Sequence, residues 1–120
     1  MILYFSGTGN SRYIAEVINS VIEDKLVSIN ECLKNNLIVS LEQQYIIVCP
    51  TYAWRIPRVV EQFIRTNHFV SGTKIYFIMT CGGDIGNAAK YINRLCNEKN
   101  MILMGVGEIV MPENFITMFK

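Results

Sequence analysis

Six consecutive residues near the start of the chain combine glycines with short polar side chains. They lie between an apolar run and an amphipathic stretch, and they are Ser6, Gly7, Thr8, Gly9, Asn10 and Ser11. Glycines allow a tight turn in which successive backbone N–H groups point into one concavity. A helix that follows such a turn presents its positive end to an anion. The segment therefore predicts a phosphate site, and the alternative is an ordinary strand-to-helix turn with Asn or Ser as the helix cap.

The same segment differs from the common nucleotide-binding motifs. No Gly-Lys-Ser/Thr sequence follows the glycines, as it would in a loop that binds nucleoside triphosphates. Arg12 stands where the dinucleotide-binding motif has its third glycine. These departures weaken both interpretations and leave a phosphate monoester as the predicted ligand.

A second segment with large aromatic side chains follows a later apolar run. Its candidate contacts with a ligand are Pro50, Thr51, Tyr52, Ala53 and Trp54. A flat, electron-poor ring can stack on the face of a tyrosine or tryptophan side chain. The alternative, which composition leaves equally open, is that the two aromatic side chains simply close the end of a sheet.

A third segment places two glycines after another apolar run. Its candidate residues are Thr80, Cys81, Gly82, Gly83 and Asp84. Backbone amides at paired glycines can donate to carbonyl oxygens at the edge of a ring. Asp84 either accepts from a ring N–H or caps the helix that follows, and the cap is the favoured role. Cys81 is expected to be a small apolar side chain at the strand end.

Short apolar runs and amphipathic stretches alternate along the whole chain. The runs predict five strands, at Met1–Phe5, Lys25–Ile29, Tyr45–Cys49, Lys74–Thr80 and Met101–Val110, of which Met1–Phe5 and Tyr45–Cys49 are expected to be buried. The stretches predict helices over 10–22, from Pro57 through residue 65, and over 85–97, whereas 30–43 is ambiguous. This alternation predicts an α/β fold with a doubly wound parallel sheet. In such a fold ligands bind beyond the carboxyl ends of the strands, which is where the three segments would meet.

Two stretches carry further expectations about packing. The helix over 10–22 is predicted to have one apolar face, formed by Ile14, Val17, Ile18, Val21 and Ile22. The tail over 111–120 holds more large apolar side chains than a free end would, namely Phe115, Ile116, Met118 and Phe119. We expect this tail to pack back on the domain or to begin a further element, and self-association through it is open.

Composition limits the class of protein. The 120 residues suffice for one domain over 1–120, and a hydrophobic share of 51% suits a sheet covered on both faces. A net charge of +1 with Lys and Arg spread along the sequence predicts no nucleic-acid partner, and no apolar stretch is long enough to predict a membrane span. The four cysteines form no C-x-x-C pair, which predicts no metal site and reduced thiols in the cytoplasm. His68 is the only histidine, and no catalytic triad can be assembled around it.

Taken together and in this order, the three segments resemble the flavodoxin family. The resemblance is carried by Y-F-S-G-T-G-N-S, C-P-T-Y-A-W-R-I-P-R and M-T-C-G-G-D, and it spans most of the chain. It is closest to the short flavodoxin-like domains that anaerobes carry fused to bacterial-type ferredoxins. The resemblance implies a five-stranded sheet in the order 2-1-3-4-5 with the last helix missing. It also implies FMN, with its phosphate at residues 6–11 and its ring between the loops at 50–55 and 80–84.

The resemblance further implies an electron carrier whose partner is a redox protein such as a ferredoxin or a reductase. Two alternatives stay open, a small FMN-dependent reductase that uses NAD(P)H and a flavin-free flavodoxin-like domain that serves as an interaction scaffold. The reductase alternative draws on one departure from the family pattern. Asn87 stands where many flavodoxins place a tyrosine over the outer face of the flavin. No side chain is expected to act as an acid, base or nucleophile, and no metal ligand is expected.

Overall fold

The computed structural model describes residues 1–6, 9–36, 39–52, 55–81 and 86–110. Strands and helices alternate along these residues. They are β1 (Ile2–Tyr4), α1 (Asn10–Ile22), β2 (Leu26–Ser28), α2 (Ile29–Lys34), β3 (Gln44–Pro50), α3 (Arg58–Thr66), β4 (Lys74–Cys81), α4 (Ala88–Glu98) and β5 (Ile102–Val110). All five predicted strands are present, and each begins and ends within about one residue of its predicted bounds.

The strands form one parallel sheet in the order β2-β1-β3-β4-β5, which confirms the predicted doubly wound α/β architecture. The central strand β3 pairs with β1 on one side and with β4 on the other. Tyr4 lies opposite Val48, and Pro50 lies opposite Thr80. Because the strands are parallel, β1, β3 and β4 therefore all end at the same edge of the sheet, which is called the carboxyl edge below.

The two faces of the sheet are covered unequally. The face against which α2, α3 and α4 pack, called the three-helix face, holds the main core, and its largest fully buried side chains are Tyr45, Phe63 and Phe77. The face against which α1 packs, called the one-helix face, holds a small cluster whose buried members are Ile2, Ala15 and Val48. The sheet is thus sandwiched between helices, with most of its buried apolar surface on one side.

The apolar face predicted for α1 is only partly correct. Ile14 and Ile18 are half-buried and pack against the small cluster, but the other three apolar residues are exposed, Val21 to 79%. The buried positions of α1 are Ser11 and Ala15, which lie one turn apart. Ser11 and Ala15 mark the side of α1 that faces the sheet, and Val17 lies about 200° around the helix from Ala15. The exposed residues of the predicted apolar face are Val17, Val21 and Ile22.

Two helix boundaries differ from the sequence prediction. The ambiguous segment 30–43 contains α2, whose start is set by Ser28, since the Ser28 Oγ accepts a hydrogen bond from the Glu31 N–H at 3.2 Å. Helix α4 begins at Ala88 instead of residue 85, and its cap position is Asn87. Asp84, which the sequence analysis favours as a cap, lies outside the described residues, and its role stays a prediction.

Some predictions fall on residues that the structure does not describe. Residues 111–120 are among these, and with them the predictions about the apolar tail and the last helix. Within the described ranges, no helix is both long and apolar enough to cross a membrane. The histidine, cysteine and acidic side chains of the same ranges form no group of three that could hold a metal ion.

Candidate functional site

Backbone hydrogen bonds tie the three predicted segments to one place. The Phe5 N–H donates to the Val48 carbonyl at 3.0 Å, which joins the chain after β1 to β3. The Thr51 N–H donates to the Thr80 carbonyl at 2.9 Å, which joins the chain after β3 to β4. The described site residues of all three segments therefore lie together at the carboxyl edge, as expected for a ligand site in this fold.

The first segment is held in its turn by a side chain. The Ser6 Oγ is half-buried and accepts a hydrogen bond from the Gly9 N–H at 2.8 Å. Gly9 has φ of 96°, in the left-handed region that glycine adopts without steric cost. Its contribution to a phosphate site is thus conformational, because its own amide is already used within the turn. Gly7 and Thr8 lie outside the described residues.

The start of α1 presents amides that no described residue satisfies. The first helical bond runs from the Tyr13 N–H to the Gly9 carbonyl at 3.0 Å, so the amides of Asn10, Ser11 and Arg12 have no acceptor within the helix. No side chain among the described residues caps this end, and its first turn contains no acidic residue. Unpaired amides at the positive end of a helix dipole attract an anion. Asn10 is half-buried there, and Ser11 is only 2% exposed.

The second segment contains a buried hydroxyl without a partner. The Thr51 Oγ1 atom is fully buried and accepts or donates no hydrogen bond among the described residues. A buried hydroxyl in this state costs about 1–3 kcal/mol unless a ligand or water satisfies it. Thr51 follows directly on Pro50, the half-buried last residue of β3. Among the described residues, this unpaired hydroxyl is the clearest evidence that a polar group binds at the carboxyl edge.

The same segment exposes an aromatic ring. Tyr52 is 50% exposed, and its backbone exchanges two hydrogen bonds with Arg55, at 2.8 and 3.0 Å, which close the turn around residues 53–54. An aromatic side chain held half in solvent at a strand end is available to stack on a planar ligand. Ala53 and Trp54 lie outside the described residues, so the stacking role predicted for Trp54 stays a prediction.

The third segment is described only at its start. Thr80 and Cys81 are buried at the end of β4, and the Cys81 Sγ lies 4.0 Å from the Ile109 carbonyl oxygen. Gly82, Gly83 and Asp84 lie outside the described residues, and the predicted amide contacts of the two glycines stay a prediction.

Two further cysteines, Cys49 and Cys96, are buried in the main core, and their environment does not favour a reactive thiolate. Burial away from water raises the pKa of Cys96 to about 11, and burial raises the pKa of Cys49 further. Both side chains are therefore protonated thiols at neutral pH, and a protonated thiol is a poor nucleophile. These cysteines fill space in the main core.

An open cavity of about 820 Å³ lies beside the carboxyl edge, and the sequence analysis did not anticipate it. Phe5, Tyr52 and Pro57 contribute to its wall, together with the arginines Arg55 and Arg58. Arg55 and Arg58 belong to a motif that carries the family resemblance, but the sequence analysis gives them no role. A third arginine of the cavity wall, Arg65, lies two helical turns after Arg58 and so on the same side of α3, and this spacing is visible in the sequence.

The described residues fit the group that the resemblance implies. Unpaired amides at a helix start suit a phosphate, and an unsatisfied hydroxyl beside a half-exposed tyrosine suits the polar edge and flat face of a ring. No acid, base or activated nucleophile is assembled among them. The arrangement can bind and orient a planar phosphate ester.

Comparisons with known proteins agree with the fold described above. The sequence model of the flavodoxin domain family matches residues 1–106, and a comparison with curated protein sequences finds no match. Megasphaera elsdenii flavodoxin, solved in its two-electron reduced form, is 17% identical with a TM-score of 0.65 over 95% of this chain and 90% of that one. A candidate flavoprotein from Bacteroides eggerthii is 20% identical with a TM-score of 0.70 over 98% of this chain and 92% of that one. The family match covers most of the chain, and the chain belongs to the flavodoxin domain family.

Proposed function

We propose that this chain binds FMN at the carboxyl edge of its sheet and acts as an electron-transfer protein. The observation that carries the proposal is the set of unsatisfied polar groups there, namely the amides at the start of α1 and the buried Thr51 hydroxyl. Membership of the flavodoxin family supports a flavin, and the predicted phosphate monoester matches the mononucleotide form.

The phosphate would be held by the turn before α1 and by the first turn of that helix. The amides of Asn10 and Ser11 would donate to it, with the hydroxyls of Thr8 and Ser11 adding side-chain donors. Ser6 would act indirectly, because its Oγ accepts a hydrogen bond from the Gly9 amide and thereby stabilises the turn that holds the phosphate. No lysine is required, because the helix end supplies positive potential.

The ring would lie between the second and third segments. The buried Thr51 hydroxyl would form a hydrogen bond with a polar atom at the edge of the ring. Tyr52 and Trp54 would contact the face of the ring. The amides of Gly82 and Gly83 would donate to ring carbonyl oxygens. FMN, when bound, supplies the redox chemistry by taking up and releasing electrons. The side chains bind and orient it, and none is assigned an acid, base or nucleophilic step.

The decisive experiment compares two glycines that have the same backbone conformation. Gly9 and Gly72 have φ of 96° and 87°, and a β-carbon at either position would meet no atom within 4 Å. Gly9→Val and Gly72→Val should therefore lose similar free energies of unfolding, about 1–3 kcal/mol each, through backbone strain. Only Gly9 lies at the proposed phosphate site, so only Gly9→Val should weaken FMN binding, by roughly tenfold or more.

FMN affinity is measured by titration of the visible flavin spectrum, and folding by circular dichroism. Equal FMN affinities for the two variants would place the phosphate elsewhere. A parent protein that stays colourless with added FMN would contradict the proposal and favour the scaffold alternative. Rapid bleaching of the bound flavin by NADPH, with no second protein present, would instead assign a reductase.

A further inference from the structure

Four exposed arginines line two cavities on one side of the molecule, next to the carboxyl edge, and a fifth exposed cation, Lys90, lies one helical turn before Arg94. One follows β3, two are on α3 and two are on α4. This surface is called the arginine face below, and it consists of Arg55, Arg58, Arg65, Lys90 and Arg94. Arg55, Arg65 and Arg94 also line one shallow cavity of about 330 Å³ between α3 and α4, which places cations from all three elements together.

Two carboxylates among the described residues lie on this surface, and both are already paired. Glu61 accepts hydrogen bonds from Arg55 at 3.4 Å and from Arg65 at 2.9 Å. Glu98 accepts from Arg65 at 2.7 Å. Arg58, Lys90 and Arg94 have no carboxylate partner among the described residues. The surface therefore keeps a net positive charge after its internal ion pairs are counted.

An aromatic ring orders two of the guanidinium groups. The Arg55 guanidinium lies 4.9 Å from the centre of the Tyr91 ring, and the Arg94 guanidinium lies 5.9 Å from it. Both distances allow a cation–π interaction. Tyr91 thereby links the loop after β3 to α4. Because Arg55 and Arg94 are already held against its ring, they lose less side-chain conformational entropy when a partner binds.

The arginine face is continuous with the proposed cofactor site. Arg55 is paired through its backbone to Tyr52, the exposed aromatic residue at the carboxyl edge. The open cavity beside that edge is lined by Tyr52 together with Arg55, Arg58 and Arg65. A protein bound on these arginines would therefore lie against the residues proposed to contact the flavin ring.

The other described residues are close to charge balance. Outside the arginine face they carry five cationic side chains and six carboxylates. An approaching acidic protein would therefore be attracted to the arginine face more strongly than to the rest of the described surface. Such asymmetry orients encounter complexes before contact.

We propose that the arginine face is the docking surface for an acidic electron-transfer protein. The partner's carboxylates pair with Arg58 and Arg94, whose guanidinium groups suit bidentate carboxylate contacts. The role in electron transfer rests on the proposed function, whereas the docking itself does not depend on bound flavin. Because the contacts lie at an exposed surface, they act mainly on the rate of association and weaken as salt rises.

The test uses a plant-type [2Fe–2S] ferredoxin of net negative charge as the probe, labelled with a fluorophore. Its association with this chain is followed by stopped-flow anisotropy at low salt and at physiological salt. The double variant Arg58→Glu/Arg94→Glu should lower the low-salt association rate by about tenfold or more. The control, Lys34→Glu/Lys74→Glu, makes the same change in net charge at exposed positions outside the arginine face, and it should retain most of the rate.

Three results would overturn the proposal. They are absence of salt-dependent binding by the parent protein, equal rates for the two double variants, and tighter binding of a duplex DNA oligonucleotide than of the ferredoxin at the same salt. FMN titration of the same variants separates this inference from the proposed function. Loss of ferredoxin binding with FMN affinity intact supports the docking surface. Failure of all variants to bind FMN would refute the cofactor assignment and leave the docking result valid.

Discussion

The two faces of the sheet differ more in packing than in sequence. On β4, Phe77 points to the three-helix face and is 0% exposed, whereas the next residue, Ile78, lies on the one-helix face and is half-buried. Both residues belong to one continuous apolar run, as expected for a strand covered on both sides. The difference arises because three helices cover one face and α1 alone covers the other, within the described residues.

The one-helix face leaves apolar surface exposed on the helix itself. Tyr13, Val17 and Val21 follow one another at four-residue spacing on α1, and all three are exposed. The apolar tail over 111–120 lies outside the described residues, and self-association through it stays a prediction. Stability and core packing therefore depend mainly on the three-helix face. Substitutions on the two faces and at the carboxyl edge test this difference, and they follow in order of decreasing effect.

The largest contrast is expected between neighbours on β4. Phe77→Ala should lower the free energy of unfolding by about 3–5 kcal/mol, because it leaves a cavity among fully buried side chains. Ile78→Ala should cost only about 1–2 kcal/mol, because its site is already partly open to solvent. Urea denaturation of the flavin-free protein measures both values without a contribution from ligand binding. Equal losses would show that the one-helix face is as well packed as the other.

An intermediate effect of opposite sign is expected at the carboxyl edge. Thr51→Val removes the unsatisfied hydroxyl and keeps the side-chain shape, so the flavin-free protein should gain about 1 kcal/mol of stability. FMN affinity should fall roughly tenfold, because the ligand loses a hydrogen bond in a buried site. Denaturation and FMN titration measure the two changes. A loss of stability in the flavin-free protein would mean that the hydroxyl has a partner in the chain.

The smallest effect is expected on β5. A β-carbon at Gly107 would lie 3.2 Å from the Ile78 Cδ1, the tip of a flexible side chain on the loosely covered face. Gly107→Ala should therefore change the free energy of unfolding by less than about 1 kcal/mol, since the lower entropy of the unfolded chain offsets a small shift of Ile78. Thermal unfolding measures the change. A loss of several kcal/mol would contradict loose packing at this face.

Much of the fold could be predicted because local pattern and tertiary structure agree along the strands. Each apolar run is short and bounded by polar or turn-forming residues, and the runs of the central strands β1, β3 and β4 are mostly buried, so the apolar pattern alone locates them. The edge strand β5 is exposed or half-buried throughout. The first residues of the helices were harder to predict from the sequence. The start of α2 depends on the side chain of Ser28, and the start of α4 at Ala88 depends on a turn at residues 86–87 that the paired glycines do not mark. The apolar positions of α1 predicted a helix correctly but only part of the side that faces the sheet, namely Ile14 and Ile18.

The sequence by itself determined the order of elements, the parallel sheet and the three segments at its carboxyl edge, because spacing along the chain controls those features directly. Only the tertiary structure decided that Thr51 keeps a buried hydroxyl unpaired and that Gly9 serves the first turn through its conformation. It also decided that arginines from the loop after β3, from α3 and from α4 lie together beside the carboxyl edge. The physical reason is that burial and electrostatic potential depend on distances in space, which residues far apart in sequence set together.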